Sequence, residues 1–252
     1  MKQNIKVTIF AVILLCGTAI CVQANYNIDE AMQAVNEALS ENDCSRARKF
    51  YQTWKVLTNK TDGDIERRIA ECPEQPSDQG VVINGVRWAT RNVAAPGTFA
   101  EKPEDAGKFY RWNRKKAWAV TGSVIGWEKS IPTGADWDKF NDPSPTGWRV
   151  PTFDELKKLL DTYRVSNEWI TVNGVSGRKF TDKTTGNSIF LPAARYRSGS
   201  TGAIYSVGCY GYYWCGTQGG SDFAFSLRFD SGNADWFGSS RGYGFSVRPV
   251  AE

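Results

Sequence analysis

Histidine is absent from all 252 residues, so any reactive centre must be built from carboxylates, cysteines, hydroxyls, lysine amines and other side chains. That excludes Ser/His and Cys/His nucleophilic schemes and the common zinc ligand sets. No Gly-rich phosphate loop is present. Asp136, Asp138 and Asp142 cluster within seven residues, and a calcium ion takes roughly six to eight oxygens. A solvated acidic loop is the simpler expectation here, and also for Glu101, Glu104 and Asp105. No residue is assigned to a metal; no cofactor is expected, with calcium as the one candidate ion. The aromatics are more informative. Tyr205, Tyr210, Tyr212, Tyr213, Trp214, Phe223, Phe225, Trp236, Phe237 and Tyr243 crowd the last quarter of the chain. Strand alternation places Phe225, Leu227 and Phe229 on one face, and turns Phe245 and Val247 inward beside Tyr243. Trp236 and Phe237 lie instead in the polar, Gly-rich stretch 231–241. A Trp on such a loop is a stacking platform, with Asn233, Asp235 and Arg241 as a hydrogen-bonding rim. Tyr210 and Tyr212 would assist, and Arg197 and Tyr205 would form the opposite rim. The alternative is that Trp236 folds back as a lid on the core.

The elements that must position these residues follow from patterning. Lys2 and Lys6 precede an apolar run, Val7 to Cys21, and Val22-Gln23-Ala24 places small residues around a cleavage point. Residues 1–24 read as a secretory signal, too short in its apolar part for a ~20-residue membrane span. The formal charge of +4 loses two lysines with this leader, and a nearly neutral chain with no basic stripe is no nucleic-acid binder. Cys44, Cys72, Cys209 and Cys215 remain, an even count that suggests two disulfides in an exported protein.

Residues 25–75 read as two to three helices. Ile28, Met32, Val35 and Leu39 form one apolar face, with Asn27 and Glu30 as a capping box. Ala47, Phe50, Tyr51, Trp54 and Leu57 form a second face behind Asp43 as N-cap; Ile65, Ile69 and Cys72 form a third. A Cys44–Cys72 bridge would staple a bundle too small to rely on its core. Residues 73–80, with two prolines, read as a linker with almost nothing to bury. From Val81 the texture changes to strands and turns. Asn84-Gly85 and Asn173-Gly174 signal hairpins, and a Thr-Gly-Asn turn joins 179–181 to 189–191. Thr152 with Glu155 is a capping box, opening a helix whose buried face is Phe153, Leu156, Leu159, Leu160 and Tyr163. Residues 92–146 have no period and are rich in Trp, Gly and Pro, so large aromatics must hold the loops. No repeat is evident.

Residues 80–252 resemble the Fibrobacter succinogenes major paralogous domain, a module of exported proteins in Bacteroidetes and relatives. The resemblance rests on Gly85-Val86-Arg87-Trp88-Ala89-Thr90-Arg91-Asn92-Val93, Gly107-Lys108-Phe109-Tyr110-Arg111-Trp112 and Pro145-Thr146-Gly147-Trp148-Arg149-Val150-Pro151-Thr152. It continues through Leu191-Pro192-Ala193-Ala194-Arg195-Tyr196-Arg197, Gly211-Tyr212-Tyr213-Trp214 and the closing Gly244-Phe245-Ser246-Val247-Arg248. It implies an α+β, C-type-lectin-like domain over 81–252, with irregular Trp/Gly-rich loops, after the linker end at 76–80 and a disulfide-stapled all-α segment at 25–75. Cys209, Cys215 and Pro249 depart from the pattern, and the two cysteines, flanking Tyr210-Gly211, look like a cross-strand staple. The Glu-Pro-Asn and Trp-Asn-Asp signatures of calcium-dependent lectins are missing. One fold hosts many functions, so three readings stay open. The first is a non-enzymatic binding module for a glycan or surface protein on a cell surface, periplasmic, surface-exposed or secreted. The second is a structural component of an envelope or fimbrial assembly. The third is an oxidase resembling formylglycine-generating enzymes, using Cys209 and Cys215. Oligomeric state is not legible.

Overall fold

The computed structural model describes residues 28–40, 44–71, 78–206 and 208–252, apart from the side chains of residues 45, 46 and 49. The signal, the caps at Asn27 and Asp43, Cys72 and most of the linker lie outside the described residues. The protein is mixed α+β, with helices first and then several antiparallel sheets. Its chain divides into two compact units between residues 73 and 74.

The first unit holds α1 (Ile28–Ser40), α2 (Cys44–Thr58) and α3 (Gly63–Ala70). Val35, Tyr51 and Ile65 form its buried centre, packed by Met32, Leu39, Phe50, Trp54 and Ile69. Asp62 caps α3 by accepting from the Asp64 and Ile65 amides, and the Tyr51 hydroxyl donates to the Asp62 carbonyl and accepts from its amide. Cys44 is buried and disulfide-bonded. No described helix is long and apolar enough to cross a membrane.

The second unit opens earlier than expected. Asp78, assigned to a linker, is buried; it ion-pairs with Arg91 at 3.3 Å and accepts from the Thr90 amide and hydroxyl. The Asn-Gly turns behave as their residue types dictate, both positions taking positive φ. They join β1 (Val81–Ile83) to β2 (Val86–Trp88), and β6 (Val165–Val172) to β7 (Val175–Asp182). The pairing of β7 with β8 (Ser188–Pro192) places Phe180 opposite Ile189. The Thr152–Glu155 capping box starts α4 (Phe153–Leu159). That helix ends earlier than its apolar pattern, because the chain turns at Leu160 and Asp161 accepts from the Tyr163 amide, leaving Tyr163 92% exposed.

The remaining strands are β3 (Phe109–Arg111), β4 (Ala117–Trp118), β5 (Trp148–Arg149), β9 (Tyr196–Arg197), β10 (Ile204–Tyr205), β11 (Gly211–Gln218), β12 (Phe223–Phe229), β13 (Ala234–Ser240), β14 (Gly244–Phe245) and β15 (Val250–Ala251). Among the described residues they make four antiparallel sheets, ordered β1-β2-β15-β5, β10-β9-β14-β3-β4, β11-β12-β13 and β6-β7-β8. The closing segment, read as one strand, is therefore two strands in different sheets. The β11-β12-β13 sheet contributes side chains to a core from each face, through β11 and β12, while β13 stays largely exposed. Tyr213, Cys215, Leu227 and Phe229 point into a core with α4 and the β6-β7-β8 sheet, whereas Trp214 and Ala224 point into a second core with Tyr110, Trp112, Phe245 and Val247.

Loops lack the ladder partners that satisfy backbone carbonyls in sheets, and buried arginines supply the donors. Arg111, Arg197, Arg241 and Arg248 are among the largest fully buried side chains. Arg197 donates to the carbonyls of Ala119, Thr121, Gly122 and Gly202 at 2.5–3.1 Å. Arg241 donates to those of Gly134, Gly220 and Phe223, and stacks on Trp112 at 4.2 Å. Indole nitrogens do similar work: Trp112 donates to Cys215 O, Trp127 to Gly199 O and Trp214 to Tyr110 O.

Candidate functional site

Residues 234–240 were expected as a loop and form a strand, each paired with β12. Alternation along a strand sends neighbouring side chains to opposite faces, so Trp236 and Phe237 cannot share one platform. Trp236, 45% exposed, sits edge-on to Phe153 and Phe225 at 5.2 and 5.5 Å, partly covering that side of the core. Phe237, 40% exposed, faces the other way.

On Phe237's side the sheet carries Tyr212, Arg228 and Asp235 in direct cross-strand register. The Arg228 guanidinium lies 5.1 Å from the Phe237 ring centre and 4.9 Å from that of Tyr210. Tyr210 leads to Tyr212 at 6.0 Å, and Tyr212 to Tyr196 at 4.8 Å. Tyr196 in turn contacts Tyr205 at 5.7 Å and Tyr243 at 5.5 Å. Buried Phe245 is the floor, stacked under Tyr212 and Tyr243. Tyr205 is 49% exposed, and Tyr196, Tyr210, Tyr212 and Tyr243 are half-buried. Among the described residues, none of these five hydroxyls makes a hydrogen bond within the protein. Burial raises the pKa of Tyr212, against the opposing charge of Arg228. Tyr196 is also raised, by burial first and then by Tyr243 and Tyr205. Both hydroxyls therefore keep their protons across the physiological range.

The structure thus brings together Tyr205, Tyr210, Tyr212 and Phe237. It sets Trp236 on the opposite face, and it leaves Asn233 and Asp235 exposed near the β12–β13 turn. Arg197 and Arg241, expected on the rim, are corrected to buried structural residues whose donors are taken by backbone carbonyls. Three members were not foreseen. Tyr243 had been assigned to packing alone and Tyr196 only to a motif, whereas Arg228 was legible from alternation as the residue facing away from Leu227 and Phe229.

The cysteine staple is also corrected: Cys209 and Cys215 are free, the first exposed and the second buried. No hairpin lies between them, because β11 starts at Gly211 and runs through Cys215. Six largely extended residues separate Cα atoms by roughly 15–20 Å, far beyond the roughly 4.4–6.8 Å of a disulfide. Burial pushes the Cys215 thiol up to about 12, the reverse of a reactive thiolate.

The acidic residues are engaged locally. Asp136 accepts from the Gln218 amide, Asp138 from that of Phe140, and Asp142 from those of Ser144 and Val150. Glu104, expected to be solvated, is buried and accepts from the Asn173 side chain at 2.7 Å. Among the described residues, no group of three or more His, Cys, Asp or Glu side chains is placed to hold a metal. Comparisons with family models, curated proteins and solved structures return no match to this chain.

Proposed function

We propose that this protein is an exported, non-enzymatic binding module of C-type-lectin-like kind, related to the major paralogous domain family. Its ligand is a glycan or a surface protein, taken on the face of Tyr196, Tyr205, Tyr210, Tyr212, Arg228, Phe237 and Tyr243. The observation that carries this reading is a cluster of five tyrosines over buried Phe245, with Arg228 at one end, whose hydroxyls make no hydrogen bond among the described residues. Tyrosine offers a broad apolar face with a polar tip at low entropic cost, which suits recognition. Sugar C–H groups stack on such rings while hydroxyls and Arg answer the polar edges.

The oxidase reading lacks a geometry, since its two thiols are far apart and one is buried. The structural-component reading retains one supporting observation: β13 is a sheet edge with a single charged residue, Asp235, and unprotected edges are sites of strand addition.

The test is glycan-array binding by the purified protein, with calcium and with chelator, beside Tyr205→Ala, Phe237→Ala and Trp236→Ala. Binding lost in the first two variants and kept in Trp236→Ala supports the assignment. Loss confined to Trp236→Ala would move the site to the opposite face. A blank array from folded protein would remove the glycan and leave the surface protein.

A further inference from the structure

We propose that the ligand of this face is an acidic sugar, and that Arg228 takes its carboxylate. The proposal rests on the assignment of the tyrosine face as a binding site. Arg228 is half-buried between two rings. Rings hold a guanidinium in place by cation–π attraction but leave its N–H donors unanswered. Arg91, Arg111, Arg149, Arg178, Arg197, Arg241 and Arg248 of this unit donate to a carbonyl or a carboxylate, whereas Arg164 and Arg195 share the unpaired state of Arg228 among the described residues but are not held between two rings. Arg228 makes no hydrogen bond or ion pair among the described residues.

Asp230, its pKa lowered first by the Gly232 and Asn233 amides, is close enough for the charge of Arg228 to help lower it, but no ion pair joins Arg228 to a carboxylate among the described residues. Asp230 accepts from the Gly232 and Asn233 amides, and Asp235, the cross-strand neighbour, accepts from the Trp236 amide. A planar fork of donors, held against two rings, is therefore left without a partner among the described residues, and such a fork matches a carboxylate in bidentate geometry. The surrounding field selects the rest of the ligand. Tyr196, Tyr205, Tyr210, Tyr212 and Tyr243 offer ring faces for C–H groups and five free hydroxyls, the complement of a polyol ring bearing one acid.

The experiment is calorimetric titration of the purified protein with three probes of equal length. These are an oligogalacturonate, its methyl ester, and the neutral oligogalactose. The expected result is binding of the oligogalacturonate at least about tenfold tighter than of the ester or the neutral sugar. Arg228→Gln should erase that preference, and Arg228→Lys should restore only part of it, for want of the planar fork. The ester removes the charge without touching the protein, so the comparison stands even if a variant folds poorly. Equal binding of all three probes, lost in Phe237→Ala but indifferent to Arg228→Gln, would overturn this inference and leave the binding face intact. Oligoglutamate is titrated as a fourth probe: no binding of any sugar, with Arg228-dependent binding of oligoglutamate instead, would overturn the sugar assignment and identify an acidic peptide. Binding of none of these probes would overturn the inference outright.

Discussion

Replacing Arg197 by Met separates a buried structural arginine from a ligand-contacting one. The guanidinium serves the carbonyls of Ala119, Thr121, Gly122 and Gly202. Thr121 and Gly122 are exposed, so their carbonyls can turn to water at little cost. Ala119 is half-buried and Gly202 buried, and each would lose its donor, at about 1–3 kcal/mol per group. Against this, Met fills much of the space and removes a cation whose burial already lowers its pKa, an exchange that can itself be favourable. The net expectation is a loss of about 2–4 kcal/mol, which for a unit of this size lowers Tm by roughly 5–15 °C. Thermal unfolding followed by tryptophan emission reads this directly, because Trp127 donates to the Gly199 carbonyl beside the same turn. Hydrogen exchange should show faster opening of residues 119–130. Refutation would be a Met variant within about 0.5 kcal/mol of the parent that nevertheless binds ligand weakly; Arg197 would then be a rim residue after all.

Two further outcomes are expected. A thiol reagent should modify Cys209 in the native protein and reach Cys215 only on unfolding, so mass spectrometry of native protein would show one adduct on this pair; two native adducts, or none without reduction, would contradict the free and buried assignments. Tyr213 is fully buried, and burial raises its pKa from 10.0 to about 12. The unfolded chain therefore loses this proton first, and stability that is full below pH 10 falls by roughly 2–3 kcal/mol as pH rises to about 12. Cys215, raised by burial from 9.0 to about 12, adds a larger loss of roughly 4 kcal/mol starting near pH 9, and urea melts of Tyr213→Phe should show a shallower alkaline decline.

Local chemistry made several elements legible without coordinates. The Asn84-Gly85 and Asn173-Gly174 turns and the Thr152–Glu155 box depend on residues a few positions apart, and each appears where its residue types require. The face of Phe225, Leu227 and Phe229 follows from alternation alone, which equally turns Arg228 away from that core. Alternation also separates Trp236 from Phe237 once 234–240 is a strand, but its Gly and Ser content disguised it as a loop. Pairing with β12 overrode that weak local preference, as cross-strand contacts commonly do.

The chain by itself settled the mixed α+β class and the absence of histidine chemistry, because composition and short-range periodicity carry both. Only the tertiary structure decided which arginines are inside. Arg197 and Arg241 read as surface residues until loops 75 to 107 positions away bring carbonyls to them. Arg228 looks no different in sequence, yet no carbonyl arrives. The tyrosine face likewise gathers side chains from β9, β10, β11 and the approach to β14, whose register in space no local pattern encodes. Burial and hydrogen-bond satisfaction are properties of the assembled chain, since they depend on which distant backbone groups lack partners once the loops are packed.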